Sequence, residues 1–167
     1  MTAMFPADVI EEAGRLIAAM KARGLKLATA ESCTGGLIAG ALTEIPGASD
    51  VLDRGFVTYS NAAKVGMLGV DFELILRHGA VSAEVARAMA EGALRCSAAD
   101  LAVAATGIAG PGGGTIEKPV GLVYLAVAPA LAGRGLRACR FGDIGRTGIR
   151  LATVLEAFAL MGEALSS

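Results

Sequence analysis

Two stretches of this chain carry no charged residue, residues 101–116 and 120–133, and both are interrupted by glycine and proline. A membrane helix would need about 18 consecutive apolar residues. Gly and Pro break each run short of that, so the runs read as buried strands with their loops. Strands buried on both faces require helices on both faces, and the rest of the sequence supplies helical patterns. Val9, Ile10, Ala13, Leu16, Ile17 and Met20 recur at helical spacing and predict a helix over residues 6–23, with Pro6 near its first turn and Gly24 beyond its end.

A strand is then predicted over residues 26–31, followed by a helix from Gly35-Gly36 to about Glu44, where Pro46-Gly47 stops it. Residues 55–60 are rich in β-formers, and Ser60 or Asn61 caps the helix that follows. A short helix over 71–77 ends at His78-Gly79, and Ser82 caps a helix reaching about Cys96. Residues 101–106, 120–128 and 136–141 read as strands, and a last helix spans about 145–164. This order predicts one α/β domain over residues 1–167, with three α/β/α layers and a mixed sheet whose late strands run antiparallel. Ligands of such sheets sit beyond strand carboxyl ends, which directs attention to the loops after Glu31, Tyr59 and Thr106.

The formal charge of −1 gives no electrostatic footprint for nucleic acid or an anionic membrane. One local patch departs from this: Arg134, Arg137, Arg140, Arg146 and Arg150, with Asp143 the only acid among them. It is either a solvated face or a phosphate site. Three scattered cysteines and a single histidine suggest neither a disulfide framework nor a metal site. The first residues show no signal-peptide pattern, so a cytoplasmic location is expected. The apolar excess, 54% of residues, favours a homo-oligomer that hides part of it.

Chemistry concentrates in the loops. In Glu31-Ser32-Cys33-Thr34-Gly35-Gly36, at a predicted helix start, Ser32 or Thr34 either caps the helix or faces a ligand, and the free amides there suit an oxyanion or a phosphate. Cys33 is a rival nucleophile if the helix end lowers its pKa, or a small buried residue. Lys64, one turn past Tyr59, is either solvated or a desolvated base able to take a proton from Ser32, a variant of the nucleophile and base arrangement. Glu31 either orients Lys64 or caps the loop. His78 reads as a helix-end residue satisfying carbonyls. The Thr106–Thr115 segment has five glycines in the eight residues from Gly107, without a Gly-Lys-Ser/Thr or a dinucleotide fingerprint. It is a flexible surface loop or a backbone cradle.

Taken together, Ala28-Thr29-Ala30-Glu31-Ser32-Cys33-Thr34-Gly35-Gly36, Gly55-Phe56-Val57-Thr58-Tyr59-Ser60-Asn61 with Lys64, and Thr106-Gly107-Ile108-Ala109-Gly110-Pro111 with Lys118-Pro119-Val120-Gly121 resemble the CinA C-terminal domain family over nearly the whole chain. The resemblance implies hydrolysis of the carboxamide of nicotinamide mononucleotide to nicotinic acid mononucleotide and ammonia, in pyridine nucleotide salvage, without metal or cofactor. It implies Ser32 as nucleophile, Lys64 as general base and Tyr59 closing over or polarising the site. The oxyanion would rest on amides of Cys33, Thr34, Gly35 and Gly36, while Thr106, Gly107 and Gly110 border the nucleotide. Arg146, and after it Arg150, would hold the 5′-phosphate. Family members carry a Gly-Asp-Arg-x-x-x-Arg-like pattern, whereas here Gly142-Asp143 stands two residues earlier relative to Arg146. Fused members carry an N-terminal domain whose activity is not expected of this chain. The alternative is a nucleotide-binding module of the same fold without catalysis, in which Ser32 is only a cap.

Overall fold

A computed structural model describes residues 2–130 and 133–166. The 131–132 portion of the second charge-free stretch lies outside the described residues. Five strands, β1 Leu27–Glu31, β2 Leu52–Val57, β3 Leu101–Gly107, β4 Leu122–Ala128 and β5 Leu136–Arg140, form one sheet in the order β2-β1-β3-β4-β5. β2, β1 and β3 are parallel, and β3, β4 and β5 antiparallel, so the sheet is mixed as expected. Among the described residues six α-helices accompany it: α1 Ala7–Ala22, α2 Leu37–Thr43, α3 Asn61–Leu68, α4 Phe72–His78, α5 Ala83–Arg95 and α6 Arg146–Leu165. Among the described residues, no helix is long and apolar enough to cross a membrane.

Strand alternation sorts the core by size. From β1, β3 and β4, Leu27, Leu101, Val103, Val123, Leu125 and Val127 face α1, α2 and α6, where they meet Leu16, Ile38 and Phe158. Ala28, Ala30, Ala102, Ala104, Ala126 and Ala128 face α3, α4 and α5. The alanine face lets α5 lie close to the sheet, and α5 answers with Ala86, Ala90 and Ala93. Close approach extends to the neighbouring helix: a Cβ on Gly92 would overlap the carbonyl of Leu68.

Most predicted elements lie within a few residues of their expected bounds. β2 is the main departure, starting at Leu52 rather than Gly55 and ending at Val57. It is an edge strand with exposed Arg54 and Gly55, so its first half lacks the apolar signal of a buried strand. Thr58 and Tyr59 therefore lie past its end, in the turn leading to α3. Ser60 is the cap of that helix, its Oγ accepting from the Ala63 amide at 3.0 Å.

Candidate active site

β1 lies between β2 and β3, all three pointing the same way, so the segments after them meet at one edge. Two backbone bonds extend the sheet pattern into that edge: the Ser32 amide donates to the Ala105 carbonyl at 2.9 Å, and the Thr58 amide to the Glu31 carbonyl at 2.8 Å. Ser32, at the end of β1, and Lys64, on α3, are thereby brought together across 32 positions. Lys64 Nζ stands 3.0 Å from Ser32 Oγ. The same Nζ donates to the Thr58 carbonyl at 2.9 Å and, at 3.5 Å, to that of Tyr59.

Lys64 is 1% exposed, and loss of hydration pushes its pKa below the ordinary lysine value. In the amine form, two N–H bonds can serve the two carbonyls while the lone pair faces the Ser32 hydroxyl, which then donates to it. Cys33, beside this pair, is also buried. Burial pushes its thiol up to about 11, which keeps it protonated and removes the helix-end activation considered for it.

Glu31 does not orient Lys64. Its buried carboxylate accepts from Thr34 Oγ1 at 2.7 Å, from Thr29 Oγ1 at 3.2 Å, and from the Ile38 and Ala39 amides at 2.8 and 3.0 Å. The last strand residue thus caps the helix that follows, placing negative charge against the positive helix end. Neither Ser32 nor Thr34 is the cap, and Gly36 at that position makes no side-chain bond.

The expected oxyanion cradle contracts accordingly. Gly35 N–H donates to the Ser32 carbonyl and Leu37 N–H to that of Thr34, while the next two amides belong to Glu31. Of residues 33–36, Cys33 lines the cleft next to Ser32. Gly35 and Gly36 serve packing instead. A Cβ on Gly35 would sit 3.3 Å from the Arg150 guanidinium, and one on Gly36 would sit 3.5 Å from Val57.

The cleft holds about 300 Å³ and is bounded by Ser32, Tyr59, Val81, Thr106, Gly110 and Arg146, among others. Gly107 also lines it. Thr106 Oγ1 donates to the Ala80 carbonyl at 2.8 Å, so its hydroxyl is committed to holding a wall. The glycine-rich segment is tied to the start of β4 where it leaves β3, Ile108 N–H donating to Leu122 O and Gly121 N–H to Ile108 O, while residues 111–115 are exposed. A larger hollow of about 570 Å³ lies beside Arg87, Pro129 and Arg134 at the opposite end of the sheet. It contains neither Ser32 nor Lys64, and chemistry rather than volume selects the smaller cleft.

Three of the five late arginines have distinct partners. Arg137 pairs with Glu156 and Glu163 on α6. Arg146, at the start of α6, donates to the Gly110 carbonyl at 2.7 Å and to the Tyr59 hydroxyl at 2.9 Å, bridging two sides of the cleft. Arg150 is turned to the backbone, donating to the Cys33 and Thr34 carbonyls at 3.1 and 3.2 Å. The second phosphate candidate is thus a brace for the turn that carries Ser32. His78 is the last residue of α4, with Nδ1 3.7 Å from a Glu84 oxygen.

The model of the CinA C-terminal domain matches residues 10–165. This chain belongs to the CinA C-terminal domain family. Its fold superposes with a TM-score of 0.92 on a competence/damage inducible protein from Agrobacterium tumefaciens, 56% identical, over 99% of this chain and 100% of that one. A CinA superfamily protein from Klebsiella pneumoniae gives 0.87 at 36% identity, over 95% of this chain and 98% of that one. A CinA-like protein of an Anaeromyxobacter species is 51% identical over 90% of this chain and 36% of its own length. One of Akkermansia muciniphila is 64% identical over 62% of this chain and 25% of its own length. The chain therefore spans about a quarter to a third of the length of the curated CinA relatives it matches.

Proposed function

We infer that this CinA domain is a serine amidohydrolase that converts nicotinamide mononucleotide to nicotinic acid mononucleotide and ammonia. One observation carries the reading: a buried lysine, its charge disfavoured by desolvation, 3.0 Å from a serine at the floor of a cleft. A serine used only as a cap would contact a helix amide, and that task belongs to Glu31.

Ser32 Oγ attacks the carboxamide carbon, whose electrophilicity the cationic pyridinium ring raises, and its proton passes to Lys64 Nζ. The Cys33 amide, next to Ser32 in the cleft, supports the oxyanion, a donor of this kind contributing about 3 kcal/mol to the barrier reduction. The tetrahedral adduct collapses with breakage of the C–N bond, Lys64 delivering the proton to the departing ammonia. Water, deprotonated by the same amine, then cleaves the acyl-serine and restores Ser32. Arg146 takes the nucleotide phosphate, exchanging its bonds to Gly110 and Tyr59 for bonds to the anion.

The test is ammonia release by the purified protein from nicotinamide mononucleotide, with a chelator present. Turnover is expected in wild type and lost in Ser32→Ala and Lys64→Met with the fold intact. Nucleotide binding with no ammonia in wild type would instead make the protein a binding module, and full turnover in Ser32→Ala would remove the nucleophile.

A further inference from the structure

Three consecutive carbonyls, from the last residue of α4 into the turn towards α5, are each held by a side chain. His78 O accepts from Lys118 Nζ at 2.6 Å, Gly79 O from Ser82 Oγ at 2.8 Å, and Ala80 O from Thr106 Oγ1 at 2.8 Å. The turn matters because the next residues, Ala80 and Val81, line the cleft. Lys118 reaches it from three residues beyond the end of the glycine-rich segment, which lines the cleft through Gly110, Gly112 and Gly113.

Lys118 is itself held in place. Its amide donates to Thr115 Oγ1 at 3.0 Å, and its carbonyl accepts from the Thr115 amide at 2.8 Å, closing a small reciprocal turn. Gly79, at φ +79°, leaves the passage for the side chain, since a Cβ there would stand 2.9 Å from Lys118 Nζ. The ammonium also meets the carbonyl end of α4, the end that favours positive charge. The half-buried bond is charge-assisted and short, the stronger kind of hydrogen bond.

We propose that Lys118 is a positioning residue for substrate binding, its bond to the His78 carbonyl tying the glycine-rich wall of the cleft to the Ala80–Val81 wall and thereby setting the cleft's width. Ala80, Val81 and Ile108 give the cleft small apolar surfaces suited to the flat heterocycle of an aromatic carboxamide, a role that rests on the amidase reading above. Lys118 touches neither Ser32 nor Lys64, so losing it leaves the proton path intact and loosens substrate binding.

The experiment compares wild type with Lys118→Met, which keeps the stem and removes the donor, and with Lys118→Arg, which restores one. Lys118→Met should raise KM for nicotinamide mononucleotide about tenfold with kcat within about twofold, a pattern of lost uniform binding. Lys118→Arg should recover part of that loss. Amide exchange should quicken in residues 78–82 and 112–121 of Lys118→Met and stay unchanged in β1 and β3. Wild-type KM and exchange in that variant would overturn the proposal, as would a fall confined to kcat or faster exchange throughout the sheet. If wild type releases no ammonia, the amidase reading fails, and exchange alone then decides whether Lys118 ties the two walls.

Discussion

A lysine with 1% exposure must either lose its charge readily or destabilise the fold that buries it. Lys64 holds its proton less tightly when folded than at its ordinary value of 10.5, so the unfolded chain takes up that proton first as pH falls. The sign follows: Lys64 makes folding stability climb as pH rises from its lowered value towards 10.5, by at most about 1.4 kcal/mol per unit. Lys64→Met lacks this dependence. Urea unfolding of both proteins at pH 7 and 10 should show wild type gaining on the variant at the higher pH; a constant difference would mean a lysine titrating as if solvated. With Lys64 as the proposed base, kcat/KM should rise with pH through the same lowered value.

Two neighbours sharpen the residue picture. Cys33→Ala should keep turnover within a few-fold of wild type, because a thiol pushed up to about 11 is no nucleophile at neutral pH. Thr58 lends its carbonyl to Lys64, yet its buried Oγ1 has no hydrogen-bond partner among the described residues. Thr58→Val keeps the shape and removes the unsatisfied hydroxyl, and should raise stability by about 1 kcal/mol in denaturant unfolding. A loss of stability would reveal a partner for that hydroxyl in solution.

At the scale of elements, the junction from β1 to α2 depends on Glu31. Its carboxylate meets four donors and caps a helix of 7 residues that no local side chain caps. Glu31→Gln retains size but has a single acceptor oxygen and no charge, and should cost about 2–3 kcal/mol of unfolding free energy. Loss of α2 register would also displace Ser32, so turnover should fall with stability. The sequence left this link undecided between a partner for Lys64 and a cap, because a cap normally lies beside its helix whereas Glu31 is the last residue of a strand, seven positions before Ile38. Arg150 was equally illegible: its contacts with Cys33 and Thr34 span 117 and 116 residues. What could be read was local. Helical spacing gave α1, turn residues bounded α3 and α5, and Lys64 stood out as a lysine one turn from a strand end. β2 was half legible, its outer residues carrying the polarity of an edge.

For the whole molecule, the division of the sheet into a large-residue face and an alanine face governs which changes the fold accepts. Gly92 is the tightest point on the alanine side, where a methyl group would overlap the Leu68 carbonyl. Gly92→Ala should therefore destabilise by about 2 kcal/mol despite alanine's better helix propensity, since α5 and α3 must part to admit it. Thermal unfolding measures it, and a gain in Tm would contradict the packing.

The same division implies two unequal histories of variation within one core. On the side of α1 and α6, leucine, isoleucine, valine and methionine can exchange with repacking, because neighbouring flexible side chains share any change in volume. On the α5 side, alanine meets alanine and helix backbone at the closest points, and only a few larger side chains, Leu68, Ile75, Val85 and Met89 among them, are there to absorb added volume. Drift in homologous chains should consequently be fluid on one side of the sheet and nearly frozen on the other, with the frozen side marked by a run of small residues rather than by reactive ones.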